Sequence, residues 1–249
     1  CCSTCRPAMS CWARSSIGAS WGVIFPVYAV AIALTIVAVA TLKVTEQKPD
    51  RPAATLGSCL ALLANPYVLS MVAAIFLYVG AEVSVSAGIP LLLKDRFGID
   101  INREGLLGTG LFFTALTIGR FSGSVVLTWM APRRFLVVTC LLSLAGLAGL
   151  FLPSPPLALA SFVVAGLGFA NIFPLVFSIA VEKMPSHTNE LSGLMITAIV
   201  GGAFLPPVMG MVADRTTVMA GFLVPIAAIG YITWVAFANL TATAGGDHA

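Results

Sequence analysis

The sequence predicts an all-α integral membrane protein, and three observations carry that prediction. Of the 249 residues, 59% are hydrophobic and only 9% are charged, where an ordinary soluble domain carries about 45–50% apolar and about 25% charged residues. The mean hydropathy is +1.00, which also excludes a disordered chain, because disorder requires low hydrophobicity and high charge. The third observation is the length of the apolar runs. Seven stretches approach or exceed the roughly 20 residues that cross a hydrocarbon core of about 30 Å. Only helices and closed barrels satisfy their backbone in a bilayer. These runs lack the period-2 alternation of barrel strands, so they are helices.

Residues 1–18 begin Cys1-Cys2-Ser3-Thr4-Cys5-Arg6-Pro7 and hold four of the six cysteines. No histidine lies near them and the spacing is not that of a zinc knuckle. Nor do they resemble a signal or transit peptide. They are read as an uninformative, truncated or spurious start. The first span, 21–42 within a segment 19–43, carries no charge. Residues 44–65 follow as the longest polar stretch, with Glu46, Lys48, Asp50, Arg51, Pro49 and Pro52, and read as a cytoplasmic linker.

A six-helix block then occupies 66–243, followed by a tail, 244–249. Its spans are 66–93, which holds Glu82, and 105–130, which holds Arg120, and then 135–152, 157–181, 191–213 and 218–240 without charge. Lys43, Lys48, Arg51, Arg133, Arg134 and Lys183 fall on one side of this arrangement. Lys94, Arg96, Arg103 and Arg215 fall on the other. The positive-inside bias therefore places the linker and the C-terminus in the cytoplasm. Gly88-Ile89-Pro90-Leu91-Leu92-Leu93 is echoed by Ile172-Phe173-Pro174-Leu175-Val176-Phe177. The two motifs open successive three-helix units of opposite direction, as in the inverted repeats of secondary transporters.

Glu82 is the lone acid within a span, roughly 22 Å of helical rise from the cytoplasmic end. A charge near mid-depth costs at least about 2.5–3.5 kcal/mol, so it faces a wet cavity or a partner. It either accepts a proton or a hydroxyl during transport, or fixes helix packing. Arg120, the lone base within a span, either pairs with Glu82 or snorkels to the headgroups. A Glu82 held as a carboxylate by Arg120 would be a poor proton carrier, so the two readings compete. The Asn171 amide suits sugar hydroxyls but also suits a neighbouring helix; the cavity-facing reading is preferred. Pro90, Pro174, Pro206 and Pro207 are expected to kink their helices.

Catalytic constellations are missing from the sequence. His187 and His248 are the two histidines, and neither a P-loop nor a Gly-x-Ser-x-Gly elbow occurs. No metal site, organic cofactor, enzymatic activity or nucleic-acid partner is expected. A retinal receptor would need a mid-span lysine, whereas Lys43, Lys48, Lys94 and Lys183 lie at span ends or in loops.

Four ordered blocks carry a family resemblance: Tyr78-Val79-Gly80-Ala81-Glu82; Gly119-Arg120-Phe121-Ser122-Gly123-Ser124 with Ala131-Pro132-Arg133-Arg134; Asn171-Ile172-Phe173-Pro174-Leu175-Val176-Phe177-Ser178; and Ile199-Val200-Gly201-Gly202-Ala203 with Pro207-Val208-Met209-Gly210 and Asp214. Together they resemble the C-terminal half of the fucose–galactose–glucose:proton symporters of the major facilitator superfamily. The resemblance implies helices 6–12 of a twelve-helix, inner-membrane transporter working by alternating access. It implies a monosaccharide substrate, the proton gradient as energy source, and helices 1–5 of the same protein as the missing partner within the lipid bilayer. Glu82 and Asn171 would then line the cavity, and Arg120 would serve an ion pair or gate. A transporter of a drug or organic acid, or a seven-helix receptor, are the alternatives.

Overall fold

The computed structural model describes residues 24–42, 55–99 and 106–244. The expectations for residues 1–18, for most of the linker and for the end of the C-terminal tail therefore lie largely outside the described residues. The chain divides into two compact units, 1–52 and 53–249. The first contains α1 (Ile24–Thr41), 18 residues without a charge.

The second unit begins with a short helix inside the stretch read as linker, α2 (Leu56–Leu63). Its local cause is a capping box. Thr55 accepts from the Ser58 N–H while Ser58 Oγ accepts from the Thr55 N–H, which satisfies two of the donors left open at a helix start. Asn65 then caps α3 (Pro66–Phe97), with Pro66 at its first position, where the missing N–H costs nothing. After α3 come α4 (Leu106–Val126), α5 (Pro132–Gly149), α6 (Pro155–Phe169), α7 (Ile172–Lys183), α8 (Thr188–Thr197), α9 (Gly201–Arg215), α10 (Val218–Gly221) and α11 (Leu223–Ala244).

Five helical stretches among the described residues are long and apolar enough to cross a membrane: Pro66–Phe97, Pro132–Gly149, Pro155–Lys183, Pro185–Arg215 and Val218–Thr241. Two of the seven predicted crossings stand outside this set. α1 is short for a span. α4 has 21 residues, but Arg120 and four glycines lower its hydropathy.

α3 runs through Pro90 without a break. The fifth crossing breaks at Ala170 and Asn171, ahead of Pro174, and Pro174 sits in the first turn of α7. The sixth crossing is interrupted by a 3-10 turn, Ala198–Val200, and Pro206 and Pro207 lie inside α9.

α3 is the central strut of this unit, packing against α4, α7, α9 and α11. Its buried stripe of Met71, Ile75, Tyr78, Val85, Ile89 and Leu92 meets Phe112, Phe162, Phe169 and Phe222. The Tyr78 and Phe169 rings stand 5.9 Å apart, and Phe112 meets Phe169 edge-on at 5.8 Å, the geometry that aromatic quadrupoles favour. Cys140 is a buried filler in the same core. Cations tie the ends together. Arg96 donates to the carbonyls of Leu150 and Phe151 just past α5, where the helix dipole favours positive charge. Lys183 stands 4.0 Å from the Tyr67 ring centre, joining the end of α7 to the start of α3 by a cation–π contact.

Candidate functional site

Glu82 lies midway along α3. Arg120 Nη2 approaches its Oε1 at 4.0 Å, and the arginine side chain is 55% exposed against 18% for the glutamate. The pairing left open by the sequence is therefore formed, across two neighbouring helices and on the surface of the second unit. At 4.0 Å it is looser than the 2.7–2.9 Å of a tight charge-assisted hydrogen bond, so both groups keep hydrogen-bonding capacity for a third partner.

Tyr78, one helical turn before Glu82, completes the polar group. Its hydroxyl is within electrostatic reach of both Glu82 and Arg120 and donates to the Phe169 carbonyl at 2.8 Å. That acceptor belongs to the broken crossing. The last backbone bond before the break joins the Ala170 N–H to Gly166, and the first after it joins the Leu175 N–H to Asn171. Pro174 has no N–H to offer Ala170, so the ladder cannot continue through this point. The irregular backbone is buried, which is the condition for its presence at membrane depth. Sequence reasoning did not identify Tyr78 as part of the site. Its place one turn before the lone acid was the available signal.

Asn171 departs from its predicted role. It is only 6% exposed, and its Nδ2 donates to the Gly119 carbonyl on α4 at 2.8 Å. Gly123 leaves the room for it, since a Cβ there would fall 2.4 Å from either amide heteroatom. In place of the expected cavity-facing position, its amide joins two helices. Pro90, Pro174, Pro206 and Pro207 take no part in the Glu82–Arg120 pair.

The arrangement thus has a buried, satisfied layer and an exposed one. Tyr78–Phe169 and Asn171–Gly119 hold the broken crossing between α3 and α4. Glu82 and Arg120 stand on the open face beside it.

The family model of the Major Facilitator Superfamily matches residues 12–205, most of the chain. The chain belongs to the Major Facilitator Superfamily. Members of this superfamily are multi-pass membrane transporters, not enzymes. One relative is the glucose/galactose transporter of Brucella abortus biovar 1 (strain 9-941), 29% identical over 213 residues covering 84% of this chain and 52% of that protein. Another is the L-fucose-proton symporter of Escherichia coli (strain K12), 25% identical over 140 residues covering 56% of this chain and 32% of that protein. Among solved structures, the major facilitator transporter FucP in its outward conformation superposes with a TM-score of 0.74 at 20% identity. That match covers 85% of this chain and 52% of FucP. The chain therefore has the major facilitator fold, and it spans about half the length of the first curated relatives it matches.

Proposed function

We propose that this chain supplies helices 6–12 of a monosaccharide:proton symporter that works by alternating access in a bacterial inner membrane. Its C-terminus would be cytoplasmic, and helices 1–5 of the same protein would form the other wall. The observation that carries the reading is the Glu82–Arg120 pair, standing on the open face at mid-depth beside a broken helix. Secondary transporters place substrate near the midplane at such breaks. The named relatives are glucose/galactose and L-fucose-proton transporters, which supports a neutral polyol over an organic acid.

In this reading the Glu82 carboxylate accepts hydroxyl protons in hydrogen bonds, while Arg120 neutralises it and donates to sugar oxygens. Because Glu82 is paired, the coupling proton is carried by the other half of the transporter. No organic cofactor is required; the proton gradient supplies the energy. Uptake of tritiated glucose, galactose and fucose by the complete transporter containing this chain, compared with Glu82→Gln at equal expression, tests the site. Loss of one hydroxyl contact to a charged group weakens binding by about ten- to a hundredfold. Unchanged uptake would remove Glu82 from the substrate path.

A further inference from the structure

Tyr78 touches both the buried break and the open charge pair. Its hydroxyl donates to the Phe169 carbonyl at 2.8 Å. That carbonyl lies between the last main-chain bond before the break and the first one after it, so the break itself leaves it free for a side-chain donor. On its other side the hydroxyl is within reach of Glu82 and Arg120, which stand 4.0 Å apart.

The chemistry of a phenol then fixes which way each contact runs. A tyrosine hydroxyl has a single proton to give and otherwise only accepts. With that proton on Phe169, the oxygen has nothing to offer Glu82, whose carboxylate also only accepts. It can accept from Arg120, whose guanidinium carries donors and no acceptor. Tyr78 therefore attracts the guanidinium and leaves the carboxylate to other donors.

The two partners differ in their freedom to move. Tyr78 is 1% exposed, and its ring lies 5.9 Å from that of Phe169 and 6.3 Å from that of Phe173, one on each side of the break. Its oxygen is a fixed acceptor. Arg120 is a long, mostly exposed side chain, rich in rotamers, and it needs fixed acceptors to stay in place. Without Tyr78 two other positions compete. The guanidinium can close on Glu82 as a two-pronged pair at about 2.7–2.9 Å, which uses up both carboxylate oxygens. Alternatively it extends along α4 towards the headgroups. Neither leaves the pair open to a polyol. The observed separation of 4.0 Å suits a guanidinium shared between two acceptors.

We propose that Tyr78 is a positioning residue for sugar binding: its oxygen accepts from Arg120 and holds the guanidinium at the edge of Glu82, with the remaining donors turned to the open face. The role rests on the sugar-transport reading. It also makes the broken crossing part of the site, because the Phe169 carbonyl is what commits the tyrosine's proton.

The test is equilibrium binding of tritiated glucose, galactose and fucose to the purified complete transporter, comparing wild type with Tyr78→Phe and Tyr78→p-aminophenylalanine, the latter placed by nonsense suppression. Phenylalanine keeps the ring and removes both contacts. The aromatic amine still donates to Phe169, but it turns a second N–H towards Arg120 where the phenol presents a lone pair. Both substitutions are expected to weaken binding by about three- to tenfold, the worth of one net hydrogen bond. In an Arg120→Gln background neither should weaken it further. Wild-type affinity in Tyr78→p-aminophenylalanine would overturn the role, since bracing Phe169 would then suffice. Equal weakening by Tyr78→Phe in the wild-type and Arg120→Gln backgrounds would also overturn it, because the loss would not pass through the guanidinium. Failure of the wild type to bind any of the three sugars would overturn the transport reading itself, and the positioning role with it.

Discussion

Asn171 and Gly123 make a coupled pair whose energetics follow from three distances. The Asn171 amide donates to the Gly119 carbonyl at 2.8 Å. A Cβ on Gly123 would fall 2.4 Å from both amide heteroatoms and 2.5 Å from Cγ. Ordinary contact begins near 3.4 Å, so Gly123→Ala must push the amide back by about 1 Å, which stretches the hydrogen bond past its useful range. The expected cost is the bond, about 0.6–2 kcal/mol between membrane helices, plus the strain of overpacking, about 1–3 kcal/mol. Asn171→Ala alone loses the bond and leaves a gap, at about 1–2 kcal/mol. In the double variant the new methyl at position 123 occupies the space the amide vacated. Gly123→Ala should then cost nothing measurable in the Asn171→Ala background, a coupling equal to its whole wild-type cost, about 2–5 kcal/mol. Reversible unfolding of the purified protein by SDS in mixed micelles, run on all four members of the cycle, measures it. Distant sites add to within about 0.5 kcal/mol. Additivity at that level would refute the contact and, with it, the assignment of Asn171 to packing.

Two further substitutions probe the same layer. Gly201→Ala places a Cβ 2.0 Å from the Phe76 carbonyl oxygen; backbone cannot yield as a side chain can, so α9 must separate from α3, and a fall of about 2–3 kcal/mol in unfolding free energy is expected. Tyr78→Phe removes the donor to Phe169 without changing volume, and should lower stability by about 0.6–2 kcal/mol in the same SDS assay; no change would mean that another donor takes its place.

Much of the architecture is legible in the sequence because a bilayer punishes ambiguity. Long apolar runs can only be helices there, and a lone acid and a lone base in adjacent spans had reason to meet. The break in the fifth crossing was harder to place. Pro174 drew attention to itself, yet proline is tolerated within a first helical turn, where its N–H would have been unpaired anyway. The chain accordingly breaks upstream, at Ala170 and Asn171, and starts a new helix that holds the proline in its opening turn. The partner of Asn171 was not legible at all. It is a backbone carbonyl 52 positions away, made reachable by the side chain that Gly123 lacks, and nothing in the local pattern of either helix encodes that meeting. The helix inside the linker, by contrast, had a readable signal in the Thr55/Ser58 pair, masked by the prolines and charges just before it.

Mid-membrane polarity alone does not distinguish a site from a strut, because low dielectric drives every polar group to a partner whatever its purpose. Tyr78, Glu82, Gly119, Arg120, Phe169 and Asn171 all take part in polar contacts between α3, α4 and the broken crossing. Exposure separates them. Asn171 and Tyr78 are 6% and 1% exposed, and each spends a donor on a main-chain carbonyl, which leaves that donor nothing for a ligand. Glu82 and Arg120 stay open at a separation of 4.0 Å, too long to saturate either group. A carboxylate and a guanidinium kept loose at mid-depth are costly unless something polar visits them. The neighbouring latch of Tyr78 and Asn171 holds the broken helix against α3 and α4, so a ligand seated on Glu82 would meet a braced backbone. By that criterion the two charges stay available to a ligand, while the asparagine is tied into the packing between two helices.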